Sequence, residues 1–355
     1  MKQNFELIEN AILRRGESFQ IPIYEHGVDL PIISEIMGYD FSGTDFTNNE
    51  DVVGFWQKLI NFYDQMGYPA VSFEMGVKFA QIDIGKSEHD DIDDSVKRGW
   101  VDEHSGPIKD WDDLNNKEYW PTVEKAFDFD NFDKICRLVP DHMKIIGGAS
   151  GGPFEHASFL MGFENLSIML CEDEDFVEEL FRKIGETLVG IAKRISKNEK
   201  LGIYRFGDDL GYKTSTMISP SMLRKYVFPW QKRIVEAVHA SNKPFLLHSC
   251  GQLKDVMDDL IDDVKIDGKH SFEDIIMPVT EAKRIWGDRI ALFGGLDVDF
   301  LARSNPDQIK EYTKRTMDIC AKGGGYAIGS GNTITSYIPV KNYLAMMRAI
   351  EEWNG

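Results

Sequence analysis

The chain has 355 residues, 42% of them hydrophobic, which is enough for a sizeable core, and no apolar run approaches the roughly 18 residues that a membrane span needs. Lysine and arginine total 40 against 59 aspartates and glutamates, a net charge of −19. Such a surface repels nucleic acid and anionic membranes, so neither is expected as a partner.

The first nine residues (Met1-Lys-Gln-Asn-Phe-Glu-Leu-Ile-Glu) are amphipathic and carry acids, a pattern unlike a secretory signal and read as a helical extension. Short apolar runs then alternate with helical patterns. Candidate strands fall at 20–24, 70–73, 144–148, 202–206, 244–247, 264–267, 290–293 and 325–328. Between them lie amphipathic stretches at 175–197, 220–241, 253–262, 278–285, 306–321 and 339–353, several opening on a proline as helix starts do. Eight strands alternating with helices predict an α/β fold, a closed (β/α)8 barrel forming one domain over 1–355. An open doubly wound sheet is the alternative, but no G-x-G-x-x-G follows the first strand.

One long insertion, 75–143, follows the second strand and has about twice the length of an ordinary crossover. It holds an acid cluster, Glu88-His-Asp-Asp-Ile-Asp-Asp94, read as a solvated loop, and Trp100, Trp111 and Trp120, read as packing. The four cysteines, Cys136, Cys171, Cys250 and Cys320, have no framework spacing, which suggests a reducing cytoplasm. Cys136, Cys171 and Cys320 sit in helical patterns and are expected to be buried structural thiols.

In a barrel the active site lies at the carboxyl ends of the strands. Glu25 and His26 come after the first candidate strand, Glu74 after the second, Ser150-Gly-Gly-Pro153 after the third and Asp208-Asp209 after the fourth. His248 and Cys250 come after the fifth strand, Lys269 and His270 after the sixth, Asp297 and Asp299 after the seventh, and Ser330-Gly-Asn332 after the eighth. Carboxylates crowded at one mouth must be paired, metal-bound or partly protonated. Within this set Pro244-Phe-Leu-Leu-His-Ser-Cys-Gly251 stands out. Residues two apart on a strand share a face, so the imidazole and the thiol converge, and a soft thiolate with an imidazole is a zinc-type ligand pair. A buried thiol beside a hydrogen-bonded histidine is the plain alternative.

From Gly202 to Trp353 the chain resembles the uroporphyrinogen decarboxylase superfamily. The resemblance rests on Phe206-Gly-Asp-Asp-Leu-Gly211 with Ser219-Pro and Tyr226-Val-Phe-Pro-Trp, on Gly294-Gly-Leu-Asp297, and on Gly329-Ser-Gly-Asn332 before Ile338-Pro339. It implies the same (β/α)8 barrel. True uroporphyrinogen decarboxylases bind an octacarboxylate through arginines in a motif like R-Q-A-G-R after the first strand, where this chain reads Tyr24-Glu-His-Gly27. They also carry a histidine at the position of Asn332. The other branch, of corrinoid-linked methyltransferases, has H-x-C on the fifth strand and a further cysteine on the eighth, together binding zinc. His248 and Cys250 match the first two ligands, and Asn332 stands in place of the third.

The resemblance therefore implies a cytoplasmic, zinc-dependent methyltransferase moving a methyl group to or from a corrinoid carried by a partner protein. His248 and Cys250 would hold Zn2+, with Asp208, Asp209 or Glu74 completing the site, and Asp208 or Asp209 acting as ligand or general acid/base. Glu25, His26, Glu74, Lys269 and Asn332 would line the pocket for a small-molecule methyl donor or acceptor. A homodimer is what the family implies. The rival readings are a decarboxylase for a smaller substrate and a non-catalytic binding barrel.

Overall fold

The computed structural model describes residues 3–79, 84–85, 100–101 and 106–355. Seven strands run parallel: β1 (Ala70–Met75), β2 (Lys144–Ala149), β3 (Leu201–Gly207), β4 (Phe245–His248), β5 (Gly268–His270), β6 (Ala291–Phe293) and β7 (Tyr326–Ala327). Their spatial order is their chain order, as successive crossovers of one hand produce. The first expected strand, at 20–24, forms a parallel bridge rather than a full ladder: Ile23 pairs with Ile328 beyond β7. The same segment reaches the opposite edge, because the hydroxyl of Ser72 on β1 donates to the His26 carbonyl at 3.0 Å. The sheet is thus curled, with one short segment touching both of its margins.

The two-residue period of the strands explains the interior. Ala70, Ile146, Ile203, Leu246, Ala291, Phe293 and Ala327 form one apolar cluster inside the curl. The helix Phe5–Ile12, capped by the Asn4 side chain, fills its base with Phe5, Ile8 and Ile12. Two residues further along the same strand faces come Ser72, Arg205, His248 and His270. On β1, β3 and β4 the inward face therefore changes from apolar to polar within one repeat, and the polar residues lie directly above the plug.

Outside, helices pack their apolar stripes on the sheet. Glu174–Ile195 buries Phe176, Val177, Leu180, Phe181, Ile184 and Leu188, a run at helical spacing. The stretch expected as one helix at 220–241 contains a π-helical turn, Leu223–Val227, just before Pro229 in the first turn of Phe228–His239. Proline cannot donate within a helix, and the wider turn accommodates it. The sixth strand departs from expectation. A π-helical segment, Asp259–Val264, ends at Lys265 with φ +64°, and the strand starts only at Gly268. His270 consequently ends that strand instead of following it.

Within the insertion, Ile84–Gly85 pairs antiparallel with Trp100–Val101. Trp111 donates to Asp173 at 3.0 Å and packs edge-on against Phe176, while Trp120 donates to the Leu114 carbonyl and sits against Phe79. The Trp100 side chain and the acid cluster at 88–94 lie outside the described residues. Cys136 and Cys320 are buried as expected, but Cys171 is exposed, since it falls on the solvent side of Phe163–Glu172. Among the described residues no helix is long and apolar enough to cross a membrane.

Because Phe5 is only 7% exposed and lies against the bare face of Gly202, Phe5→Ala should lower the unfolding free energy by about 3–5 kcal/mol. Urea titration measures this, and an unchanged midpoint would show that the interior does not depend on the plug.

Candidate metal centre and active site

The H-x-C pair sits where β4 ends, at the carboxyl end of the sheet. Cys250 Sγ lies 3.6 Å from His248 Nε2. Gly207, the last residue of β3, is registered against His248, which brings Asp209, two residues beyond the strand, alongside. Its Oδ1 accepts from the Cys250 N–H at 2.8 Å and stands 3.9 Å from His248 Nε2. Ligand atoms of Asp209, His248 and Cys250 all lie within 4.8 Å of one another, so these three side chains could hold a metal ion. Two further donors point at the sulfur: Ser271 Oγ at 3.3 Å and Asn332 Nδ2 at 3.4 Å. Burial, with Asp209 adding to it, pushes the Cys250 thiol up to about 12. Burial lowers His248 to about 4, so at neutral pH it is an uncharged imidazole, the form that ligates.

Asp208 does something else. It is fully buried, its Oδ1 accepts from the backbone N–H groups of Phe154 (3.1 Å) and Glu155 (2.9 Å), and its Oδ2 accepts from Gln231 Nε2 (2.7 Å). Those N–H groups open the helix Pro153–Met161, whose N-cap, Gly152, has no side chain to offer. A Cβ on Gly152 would fall 2.3 Å from the Asp208 carboxyl carbon, so glycine is what lets a remote aspartate cap this helix. The expected role of Asp208 as metal ligand or general acid/base is therefore corrected: its oxygens face the helix, and Asp209 is the neighbour of His248 and Cys250.

Glu155, in the first turn of that helix, accepts from the Asp209 N–H at 3.3 Å. Burial, reinforced by the charges of Asp209, Asp208 and Glu74, raises its carboxyl well above the usual carboxylate range. Deeper in the curl, Arg205 is 2% exposed. It donates to Glu74 at 2.8 Å, to the Tyr24 hydroxyl and His26 carbonyl at 3.0 Å, and to Ser72 Oγ at 2.6 Å. Glu74 is thus the counter-ion of a buried guanidinium.

Three imidazoles meet above Arg205. His26 stacks on His248 with ring centroids 4.0 Å apart and planes 27° apart, and lies nearly parallel to His270. Their nitrogens also fall within 4.8 Å. Lone pairs of stacked rings point alongside one another instead of at a common centre, which makes this trio a poor ligand set. His248 Nδ1 lies 2.8 Å from His270 Nδ1, and His270 Nε2 lies 3.2 Å from the Ser330 carbonyl oxygen.

Two residues expected to line the pocket are turned away from it. Glu25, 1% exposed, accepts from the Ser330 N–H at 3.0 Å and from the Ser330 hydroxyl, and burial raises it to about 8. The bridge of Val28 to Ile334 runs the two segments side by side and buries the carboxyl between them. Lys269, 4% exposed, donates to the carbonyls of Ser249 (3.2 Å) and Ser271, tying together the loops that carry Cys250 and Ser271. Asn332 lines a cavity of about 760 Å³ beside the centre, together with Glu273, Asp274, Asp297 and Asp299. Arg205, Glu155 and Ser271 escaped the strand-end reading. The signal for Arg205 was present: a lone charge at the inward parity of Ile203 in an otherwise apolar strand.

The sequence was compared with known families and proteins. Residues 105–353 match the family model described as uroporphyrinogen decarboxylase (URO-D). A uroporphyrinogen decarboxylase of Coxiella burnetii (strain RSA 331 / Henzerling II) is 25% identical over 265 residues, 70% of this chain and 69% of that protein. One of Anaeromyxobacter sp. (strain Fw109-5) is 25% identical over 242 residues, covering 65% and 64%. Among solved structures, a methyltransferase from Methanosarcina mazei superposes with a TM-score of 0.72 over the whole of both chains at 18% identity, a likeness of fold. With most of its length matched in order, the chain belongs to the uroporphyrinogen decarboxylase (URO-D) family.

Proposed function

We propose that this chain is a zinc-dependent methyltransferase that moves a methyl group between a small molecule and a corrinoid carried by a partner protein. The convergence of Asp209, His248 and Cys250 carries the reading. A thiolate, an imidazole and a carboxylate match the three-protein-ligand plan of catalytic zinc, with a position left for substrate. The donor set fits the ion electrostatically as well: burial and Asp209 disfavour the Cys250 thiolate, and a divalent cation supplies the missing opposite charge. When bound, zinc would act as a Lewis acid that lowers a thiol's pKa or polarises the heteroatom bearing the methyl group.

The chain's own residues do the rest. Ser271 and Asn332 donate to the sulfur and fix its direction, Asn332 serving as a donor where the methyltransferase branch has a cysteine. Glu155, beside Asp209 and with its carboxyl raised well above the usual range by burial, would exchange a proton with the substrate heteroatom. The acidic cavity next to Asn332 would receive the methyl donor or acceptor. The corrinoid partner would dock over the mouth, where Tyr212, Ile275 and Tyr337 are exposed. The kinship with uroporphyrinogen decarboxylases favours one rival, a decarboxylase for a smaller substrate, whose activity would survive chelation.

Three outcomes test the reading. Protein purified anaerobically without chelator should carry about one zinc per chain by elemental analysis, and Cys250→Ala should carry none; a metal-free wild type that keeps full activity would favour the decarboxylase. The two neighbouring aspartates should separate. Asp209→Ala should lose zinc beyond the roughly 10–100-fold affinity loss typical of outer partners. Asp208→Ala should keep its zinc but lose about 1–2 kcal/mol of stability, the value of a helix cap, in a urea titration. Finally, acids line the mouth and the buried Arg205 is already paired, so conversion of uroporphyrinogen to coproporphyrinogen should be undetectable by chromatography.

A further inference from the structure

The imidazole pair behind the metal centre has a defined sense of hydrogen bonding. We propose that His270 is a positioning residue: held by the Ser330 carbonyl, it fixes the tautomer of His248 so that the bare Nε2 of His248 faces Cys250 and Asp209. The inference rests on the metal-centre reading for its purpose, but not for its geometry.

A carbonyl oxygen only accepts, so the 3.2 Å contact with Ser330 places a hydrogen on His270 Nε2. A neutral imidazole has one such hydrogen, which leaves His270 Nδ1 as an acceptor. The two Nδ1 atoms stand 2.8 Å apart, a separation that requires one hydrogen between them. That hydrogen must then belong to His248. With Nδ1 protonated, His248 Nε2 keeps its lone pair and points it at the sulfur 3.6 Å away. His270 is fully buried, edge-on to Tyr24 and near the Arg205 guanidinium, surroundings that favour a neutral ring.

The surrounding structure keeps the carbonyl in place. Glu25 accepts from both the N–H and the hydroxyl of Ser330, which gives this buried carboxyl a task that pocket lining did not. Gly294, at φ +77°, makes room for the contact: a Cβ there would lie 2.2 Å from the Ser330 oxygen and 2.8 Å from His270 Nε2. Glu25, Ser330, His270 and His248 thus form one chain of contacts ending at the ligand atom. In metal sites a partner of this kind selects the ligating nitrogen and is worth about 10–100-fold in affinity.

The test begins with metal-free full-length protein labelled with 15N-histidine. Long-range 1H–15N correlation spectra at neutral pH, with the two residues assigned by substitution, should show His248 protonated on Nδ1 and His270 on Nε2. The reverse tautomers would overturn the proposal, and this readout stands even if the protein binds no zinc. A zinc-free wild type would instead sink the metal-centre reading alone. In chelator competition, His270→Phe should weaken zinc binding about 10–100-fold, whereas His270→Asn, whose side-chain oxygen can accept from His248 Nδ1, should recover most of the loss. Equal losses in both variants, or none in either, would show that His270 does not set the tautomer.

Discussion

A guanidinium enclosed by a curled sheet imposes strict terms on its neighbours. An uncompensated buried charge costs several kcal/mol, so every surface that Arg205 meets has to accept a hydrogen bond. The Glu74 carboxylate, the Ser72 and Tyr24 hydroxyls and the His26 carbonyl meet that demand. These acceptors come from β1 and from the segment at 20–26, the two places where the sheet has no continuous main-chain ladder between them. One side chain on β3 therefore ties the margins of the curl together and sets the height at which its apolar interior stops. The imidazoles, the thiol and the remaining carboxylates sit above that level.

Competition for the same donors sorts the acids at the mouth. Asp208 and Asp209 are consecutive and chemically identical, yet one is oriented by the N–H groups of a helix start and the other by the N–H of Cys250. Held by these different donors, the two side chains diverge, and of the pair only Asp209 comes beside His248 and Cys250. Glu155 then finds Asp209, Asp208 and Glu74 nearby, and their charges add to burial in raising its carboxyl. A buried carboxyl raised in this way suits acid–base work.

Strand ends and the H-x-C spacing were readable because both depend on local period, and period survives folding. The sixth strand was placed four residues early because Val264 and Ile266 look like a strand while a π-helical segment continues through Val264. The choice between Asp208 and Asp209 was not readable, since it depends on a helix start more than fifty positions away. Arg205 and Glu155 were missed for a related reason. One lies inside a strand and the other inside a helix, and a search confined to the loops after strands passes over both. Glu25 was read as facing substrate because its partner, Ser330, is 305 positions distant.

The plug helix Phe5–Ile12 leaves the ribosome well before the wall it seals, which includes Ala291 and Phe293 on β6 and Ala327 on β7. Its apolar face must therefore wait, solvent-exposed or chaperone-bound, while some three hundred residues are synthesised. Contacts of such large sequence separation slow folding and prolong exposure of sticky surface. A nascent chain stalled before β6 would present Phe5, Ile8 and Ile12 without a complete seat. The feature that closes the floor beneath the strand-end residues therefore ties the completion of that floor to the synthesis of β6 and β7.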